Sequence, residues 1–370
     1  MLNSDAELTR RLSEAIARLV PQAFGEGAAL ETMSPARIDR RYSFIFRYWV
    51  RKPDQSRRPI LVKIPHQDWI KSMEEAIASD QVREEIKHEF ATMQSIHTVV
   101  QNSKHPLLFA VNPVGGYLPD YNAIVMEEVD LKMLKGYLSR FSILMDHKSA
   151  WMDFENKLKL AGEWLRLIHD AFRQPRNKRI AELDVQETGL DGIDALEQIS
   201  GNRLTNIRTC FMRLFQEIQD WVVPVSALHN DFHLGNILVT PDGRVGALDP
   251  NWKSAGAIYQ DLTSLLIDPV TRKLQVLMQG LAFRSSQRVR FEQAVLRGYF
   301  GDTSPSYPLI YFYCALNVLA KWRKNEELLR SGPRVVTFIG SRFIRLYFRK
   351  LVMNYLALGL ESAMRPNNTA

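Results

Sequence analysis

His229-Asn230-Asp231-Phe232-His233-Leu234-Gly235-Asn236-Ile237-Leu238 is a polar loop that runs straight into an apolar pair. Asp231 and Asn236 stand five residues apart in it, so a single turn lets both side chains face one way. Two short apolar runs follow, Ile237-Leu238-Val239 and Val245-Gly246-Ala247-Leu248, separated by a Pro241-Asp242-Gly243 turn and followed by Asp249. Phosphoryl transfer has a loose transition state, so a protein that catalyses it mainly positions groups and neutralises charge. Asp231 has the chemistry to orient or accept the proton of an attacking hydroxyl. Asn236 offers an amide oxygen to a divalent cation, and Asp249 a carboxylate able to bridge such a cation to phosphates. Each of these alone reads as a turn or cap residue.

Before this hairpin the chain changes character. Arg41 to Val50 alternates aromatic and β-branched residues and predicts a strand. Lys52 to Pro59 is a polar turn, and Ile60 to Ile64 a second strand. Ser79 to Val100 repeats apolar residues at helical spacing. Leu107–Val111 and Ala123–Met126 predict a further strand pair turning at Gly115-Gly116. After Glu127 the pattern is helical: Leu131 to Arg140, Ser149 to Phe172, Gly192 to Trp221, Val270 to Phe300, Pro308 to Asn325 and Arg334 to Leu360. At the N-terminus, Ser4 and Glu7 read as a capping box opening a surface helix. The expectation is an α+β protein: a two-lobed kinase-like fold with a small antiparallel-sheet lobe carrying one main helix (1–126) and a larger, mostly helical lobe (127–370).

The spaced set resembles the aminoglycoside phosphotransferase and choline kinase family, within the wider protein-kinase-like group. His229, Asp231 and Asn236 meet the catalytic-loop pattern His-x-Asp-x-x-x-x-Asn, and Asp249 meets the metal-binding Asp after a hydrophobic strand. Gly256 and Asp261-Leu262 fall at the family's next spacings, and Leu165, Ile168 and His169 look like its helix end before the loop. The resemblance implies ATP and Mg²⁺ as cofactors, with Asp231 catalytic and Asn236 and Asp249 on the metal. It also implies that Lys63, in Ile60-Leu61-Val62-Lys63-Ile64, grips the nucleotide phosphates with a helix glutamate as partner. Glu89 is the choice and Glu85, one turn earlier, the competitor. Ile124 to Val129 looks like the hinge, with the backbone of Glu127 and Val129 on the adenine edge. His229 reads as structural, His233 as ambiguous, and Asp261 as a brace for the loop; Trp252 and Lys253 are further candidates near a substrate.

Two departures qualify the resemblance. Ser34 to Arg41, where the family's phosphate-covering loop contains glycine, has none; Arg37, Arg40 or Arg41 would contact phosphates there instead. The sequence Asp249-Pro250-Asn251-Trp252 replaces Asp-Phe-Gly, and the short interval to Asp261 leaves no room for the activation segment on which protein substrates dock. A small-molecule acceptor is therefore expected. The alternative is a kinase-like module that binds nucleotide with little or no transfer.

Composition agrees with a globular chain. Of 370 residues 46% are hydrophobic and 24% charged, with a net charge of +7 that suits anionic ligands. No run of like charges suggests a nucleic-acid partner, so the expected partners are a nucleotide and a small-molecule acceptor. The two cysteines, Cys210 and Cys314, form neither a disulfide framework nor a metal motif. With no signal-peptide core in Met1 to Val20, the expected setting is cytoplasmic. Arg342 to Leu356 is basic and amphipathic and has two readings: a terminal helix packed on the larger lobe, or a surface for peripheral contact with an acidic membrane.

Overall fold

The computed structural model describes residues 2–32, 34–40, 42–138, 148–250, 252, 254–330 and 334–365. The chain forms two compact units, one from Met1–Leu131 with Thr240–Pro250, the other from Lys132–Val239 with Asn251–Ala370. The division at 126/127 expected from sequence has no counterpart for the return of residues 240–250 to the first unit. The α+β class holds: a small antiparallel sheet with helices in the first unit, and mostly helix in the second.

The first unit opens with helix α1 (Leu2–Phe24). Strands β1 (Ala29–Leu30), β2 (Ala36–Arg40), β3 (Ser43–Arg51) and β4 (Arg57–Pro65) follow, then α2 (Met73–Ala78), α3 (Asp80–Ser103), β5 (Gly116–Leu118) and β6 (Ala123–Glu127). The sheet runs β1-β3-β4-β6-β5, with β2 also on β3, and these strand pairs are antiparallel. Alternation in β3 and β4 sends Phe44, Phe46, Tyr48, Val50, Ile60, Val62 and Ile64 to one face. There they pack with Leu12, Ile16 and Val20 of α1 and Met73 and Ala76 of α2. Burying one such side chain contributes about 1.5–3 kcal/mol, so this face anchors the unit. Lys63 lies between Val62 and Ile64 and so points to the opposite face. Ser79 caps α3 by accepting from the Val82 amide, and Val82, Ile86, Met93 and Ile96 are buried at helical spacing.

Several expectations need correction here. Helix α1 begins before Ser4, whose side chain lies outside the described residues, and its Leu12, Ser13, Ile16 and Val20 face the core, so it is no mere surface helix. Leu107–Val111 is not the partner of β6. Its backbone instead pairs with a later segment: the Phe109 amide donates to Val245 O (3.0 Å) and the Val245 amide to Leu107 O (2.9 Å). The partner of β6 is β5, which the glycine pair opens; the turn falls at 119–122 with Asn122 left-handed. Arg41 lies outside the described residues.

The second unit contains β7 (Lys132–Met133), α4 (Lys135–Leu138), α5 (Lys148–Ala171), β8 (Lys178–Arg179), α6 (Val185–Ser200) and α7 (Thr205–Ile218). Then come β9 (Val222–Val223), β10 (Val225–Ala227) and β11 (Ile237–Val239), and the segment that returns to the first unit carries β12 (Val245–Ala247). Beyond it are β13 (Ala255–Ala257), α8 (Tyr259–Thr271), α9 (Lys273–Leu277), α10 (Ser285–Phe300), α11 (Tyr307–Arg330) and α12 (Arg334–Ala363). Two long helices expected from sequence are broken. Gly201 in the left-handed region ends α6, so Gly192 to Trp221 is not continuous. Extended Arg272 and left-handed Gly280 divide Val270 to Phe300. The helix expected over Leu131 to Arg140 is only the short α4 in its described part; Arg140 lies outside.

Helices α5 and α10 approach closely at Gly298, where a Cβ would collide with the Lys159 carbonyl. On α12, Tyr347, Phe348, Val352, Tyr355 and Leu356 are buried, and Arg345 turns inward to Glu326. The packed-helix reading of Arg342 to Leu356 thus holds. Among the described residues no helix is long and apolar enough to cross a membrane.

Candidate active site

In the first unit three segments deliver one charged cluster. Lys63 Nζ lies 2.7 Å from Glu89 Oε1 of α3 and 3.2 Å from Asp249 Oδ1, just past β12. Burial disfavours the ammonium, but Glu89 and Asp249 outweigh it and the Lys63 pKa is raised. Glu85, the alternative partner, accepts instead from Gln67 Nε2 at 2.6 Å. Asp249 takes a left-handed conformation, φ 53°, which a non-glycine residue adopts at some cost. Glu127 ends β6 with its amide donating to Asn112 O, and Val129 follows in irregular, half-buried backbone. Neither shares a hydrogen bond or ion pair with the Lys63 cluster.

Where a glycine-rich loop was missing in the sequence, β2 and β3 form a hairpin in continuous register from Ala36↔Arg47 to Arg40↔Ser43. Arg37 is committed to Asp39 (2.7 Å) and Asp5 (2.8 Å) and lies over Phe44, so it does not wait for a phosphate. Arg40 is exposed.

In the second unit the loop of Asp231 is held from within and from beneath. Asn236 Nδ2 donates to the Asp231 carbonyl (3.0 Å) and to Asp231 Oδ2 (2.8 Å). His233 Nε2 lies 3.3 Å from Asp231 Oδ1, while its Nδ1 accepts from the Gly235 amide at 2.9 Å, which leaves the ring proton on the side of Asp231. A Cβ on Gly235 would sit 2.7 Å from His233 Cε1, so only glycine allows this ring position. Burial acts to raise the Asp231 pKa, but the His233 bond and the Asn236 amide prevail and hold its carboxyl below the ordinary 3.8.

Beneath the loop, Asp261 of α8 is buried. Its Oδ2 accepts from the His229 amide (2.6 Å) and lies 3.1 Å from His169 Nε2; its Oδ1 accepts from the Asn230 amide (2.8 Å). His169 Nδ1 is in turn 2.7 Å from the Tyr299 hydroxyl. Asp261 therefore pins the loop's backbone, including left-handed Asn230, as a brace would. The His229 ring sits in an aromatic nest with Trp164 and Phe232. Trp252 packs on Phe172, ring centroids 4.2 Å apart; Lys253 lies outside the described residues.

Sequence reading missed Asp268. One turn beyond Leu265, its Oδ2 accepts from the Leu234 amide (3.2 Å) and pairs with Arg272 (2.7 Å), a second brace under the same loop. The signal was there: an acid embedded in Leu265-Leu266-Ile267-Asp268-Pro269-Val270, where a charge persists only if paired.

Residues 157–309, which hold the Asp231 loop and both braces, match the model of a family described as the phosphotransferase enzyme family. No curated protein matches. Among solved structures, the chain is similar to a choline/ethanolamine kinase family protein from Mesorhizobium loti at 14% identity and TM-score 0.46, covering 97% of this chain and 96% of that one. It is similar to the choline kinase LicA from Streptococcus pneumoniae at 14% identity and TM-score 0.45, covering 94% and 99%. For the macrolide 2'-phosphotransferase MphH from Brachybacterium faecium the values are 10% identity, TM-score 0.47, and 92% and 98% coverage.

Proposed function

We propose that this chain, a kinase-like phosphotransferase by the family it matches over residues 157–309, moves the terminal phosphate of ATP onto the hydroxyl of a small non-protein acceptor. The observation that carries the reading is the Asp231–Asn236 pair: two polar side chains bonded to each other on a loop whose backbone a buried carboxylate fixes. A loop with no chemical duty has no need of such bracing.

In this reading the acceptor oxygen attacks the γ-phosphorus, its proton passes to the Asp231 carboxylate, and ADP leaves. His233 and Asn236 keep that carboxylate ionised and aimed. Asp231 binds the Nδ2 end of Asn236, so the amide oxygen turns the other way and is available to a cation. Asn236 and Asp249 supply hard oxygen donors of the kind Mg²⁺ takes, and few protein ligands are needed when phosphates complete the shell. When bound, Mg²⁺ would neutralise charge developing on the phosphates. Lys63, oriented by Glu89, would bind phosphate oxygens, and the backbone at Glu127 and Val129 the adenine.

The acceptor is best read as a small alcohol rather than a polycation. Between Glu292 and Glu361 the acids are Asp302, Glu326 and Glu327; Glu326 is buried against Arg345 and Glu327 pairs with Arg323. That leaves little to attract a polycation. A sugar, amino alcohol, nucleoside-like or lipid-linked alcohol fits better, in a cytoplasmic setting that supplies ATP. Incubation with ATP, Mg²⁺ and a panel of such alcohols should show acceptor-dependent ADP release that Asp231→Ala abolishes. Silence across the panel would sink the reading.

The β2–β3 hairpin favours a second reading, a nucleotide-binding module without transfer, because its glycine-free backbone keeps a Cβ at every position facing a phosphate. Calorimetric ATP binding with no turnover on any acceptor would select it.

A further inference from the structure

We infer that the helical unit carries a separate binding site for a phosphate-bearing small molecule, in the arginine-lined cavity formed by the α6–α7 turn and helices α11 and α12. The cavity holds about 400 Å³, within the range of small-ligand sites, and is lined by Ser200, Asn202, Arg203, Leu204, Trp322, Arg342, Arg345, Leu346 and Arg349. It shares no residue with the Asp231 loop or the Lys63 cluster, and no acidic residue lines it.

The charge of this cavity is unbalanced. Arg345 is neutralised: its guanidinium grips buried Glu326 through Nε (2.9 Å) and a second nitrogen (3.1 Å), and Trp322 Nε1 adds a bond at 3.3 Å. That arrangement satisfies Glu326 and leaves none of its charge for the neighbours. Glu197, the nearest acid on α6, is likewise spent, accepting from the Leu204 amide (2.5 Å) and pairing with Arg208 (3.4 Å). Arg203, Arg342 and Arg349 are exposed and have no carboxylate partner among the described residues. Three like charges around one hollow repel each other, and an anion placed among them relieves that repulsion.

The rim is also held in shape. Ser200 and Asn202 are locked to each other through the Asn202 amide to Ser200 Oγ (3.2 Å) and Asn202 Nδ2 to the Ser200 carbonyl (3.2 Å), and Arg345 reaches that carbonyl at 3.3 Å. Planar guanidinium forks suit phosphate oxygens, so a phosphate matches this lining better than a carboxylate-poor neutral ligand would. Leu204 and Leu346 add an apolar wall that an organic phosphate could cover and a free phosphate could not.

The test needs no turnover and so stands apart from the phosphotransferase reading. Calorimetry on the full chain would use inorganic phosphate and phenyl phosphate as probes, on wild type, a control at Arg213→Ala (an exposed arginine of α7 outside the cavity) and the triple variant R203A/R342A/R349A. Wild type and Arg213→Ala should bind alike, and the triple variant should lose about a hundredfold or more in affinity, with Arg349→Gln alone losing about tenfold. All three arginines are exposed, and unchanged thermal unfolding would confirm intact variants. Tighter phenyl phosphate would identify a phosphorylated organic ligand, equal affinities a free phosphate. The inference is overturned if neither probe binds at millimolar concentration, or if the triple variant binds both probes as tightly as wild type does.

Discussion

The Lys63 cluster and the Asp231 loop each fix a carboxylate, and they do it by opposite means. Around Lys63, three charged side chains from β4, α3 and the end of β12 hold one another directly, with Asp249 largely open to solvent at 61% exposure of its side chain. Around Asp231 the side chains belong to one loop, and the rigidity comes from below, through backbone amides bound to Asp261 and Asp268. The first arrangement is adjustable: its parts can be drawn off by a ligand of the same charge type. The second is set at folding. Substitutions should therefore separate into those that alter chemistry alone and those that alter the fold.

The sharpest break is at Asp231 itself. Asp231→Asn keeps the shape and the bond to Asn236 but removes the proton acceptor, so acceptor-dependent ADP release should fall by about 10³-fold, with thermal unfolding little changed. Full activity in this variant would mean that the loop positions without accepting a proton.

Asp261→Ala tests the bracing. It strips two backbone amides and His169 of a buried partner, and should cost about 3–5 kcal/mol of stability, read as a lowered denaturant midpoint. Asp249→Asn, which keeps a side chain that tolerates the left-handed backbone at an exposed position, should cost about 1 kcal/mol or less. Equal losses at the two positions would erase the contrast between them.

A smaller effect distinguishes the two helix glutamates. Glu89→Gln weakens the hold on Lys63, and turnover should drop about tenfold with nucleotide affinity following; Glu85→Gln, which disturbs the bonds from Gln67 and Gln81, should leave both near wild type. The reverse ranking would give the partnership to Glu85.

The two regions also differ in how much the sequence disclosed. Asp231, Asn236 and Asp249 lie on one short hairpin, so the family's spacing, met within a few residues, was enough to group them. Lys63 was legible because a lysine between Val62 and Ile64 interrupts an apolar alternation, and Glu89 because Ile86 and Met93 place it on the helix. The braces depended on pairings far along the chain: Asp261 lies 32 residues beyond His229, and Asp268 lies 34 beyond Leu234. Asp261 was found only through family spacing and Asp268 not at all. Backbone pairing failed in the same way. Residues 107–109 alternate like a strand that belongs with β6, yet their carbonyls and amides are taken by Val245, a partner local periodicity cannot name. Helix breaks at Gly201 and Arg272 were hidden because apolar spacing continues across them.

The smallest expected effect concerns pH and stability. The Asp231 carboxyl is held below its ordinary 3.8, so the folded state favours its ionised form more than the unfolded chain does. That contribution is complete above pH 3.8 and is lost as pH falls through the lower folded value. Thermal unfolding of wild type should therefore exceed that of Asp231→Asn by a small margin near pH 6, and the margin should close below about pH 4. His233 is the first of the groups that hold the pKa down, so His233→Gln should shrink the margin at pH 6 as well. A margin that grows on acidification would mean that burial outweighs the histidine and the amide, and that the loop holds Asp231 against its charge instead of with it.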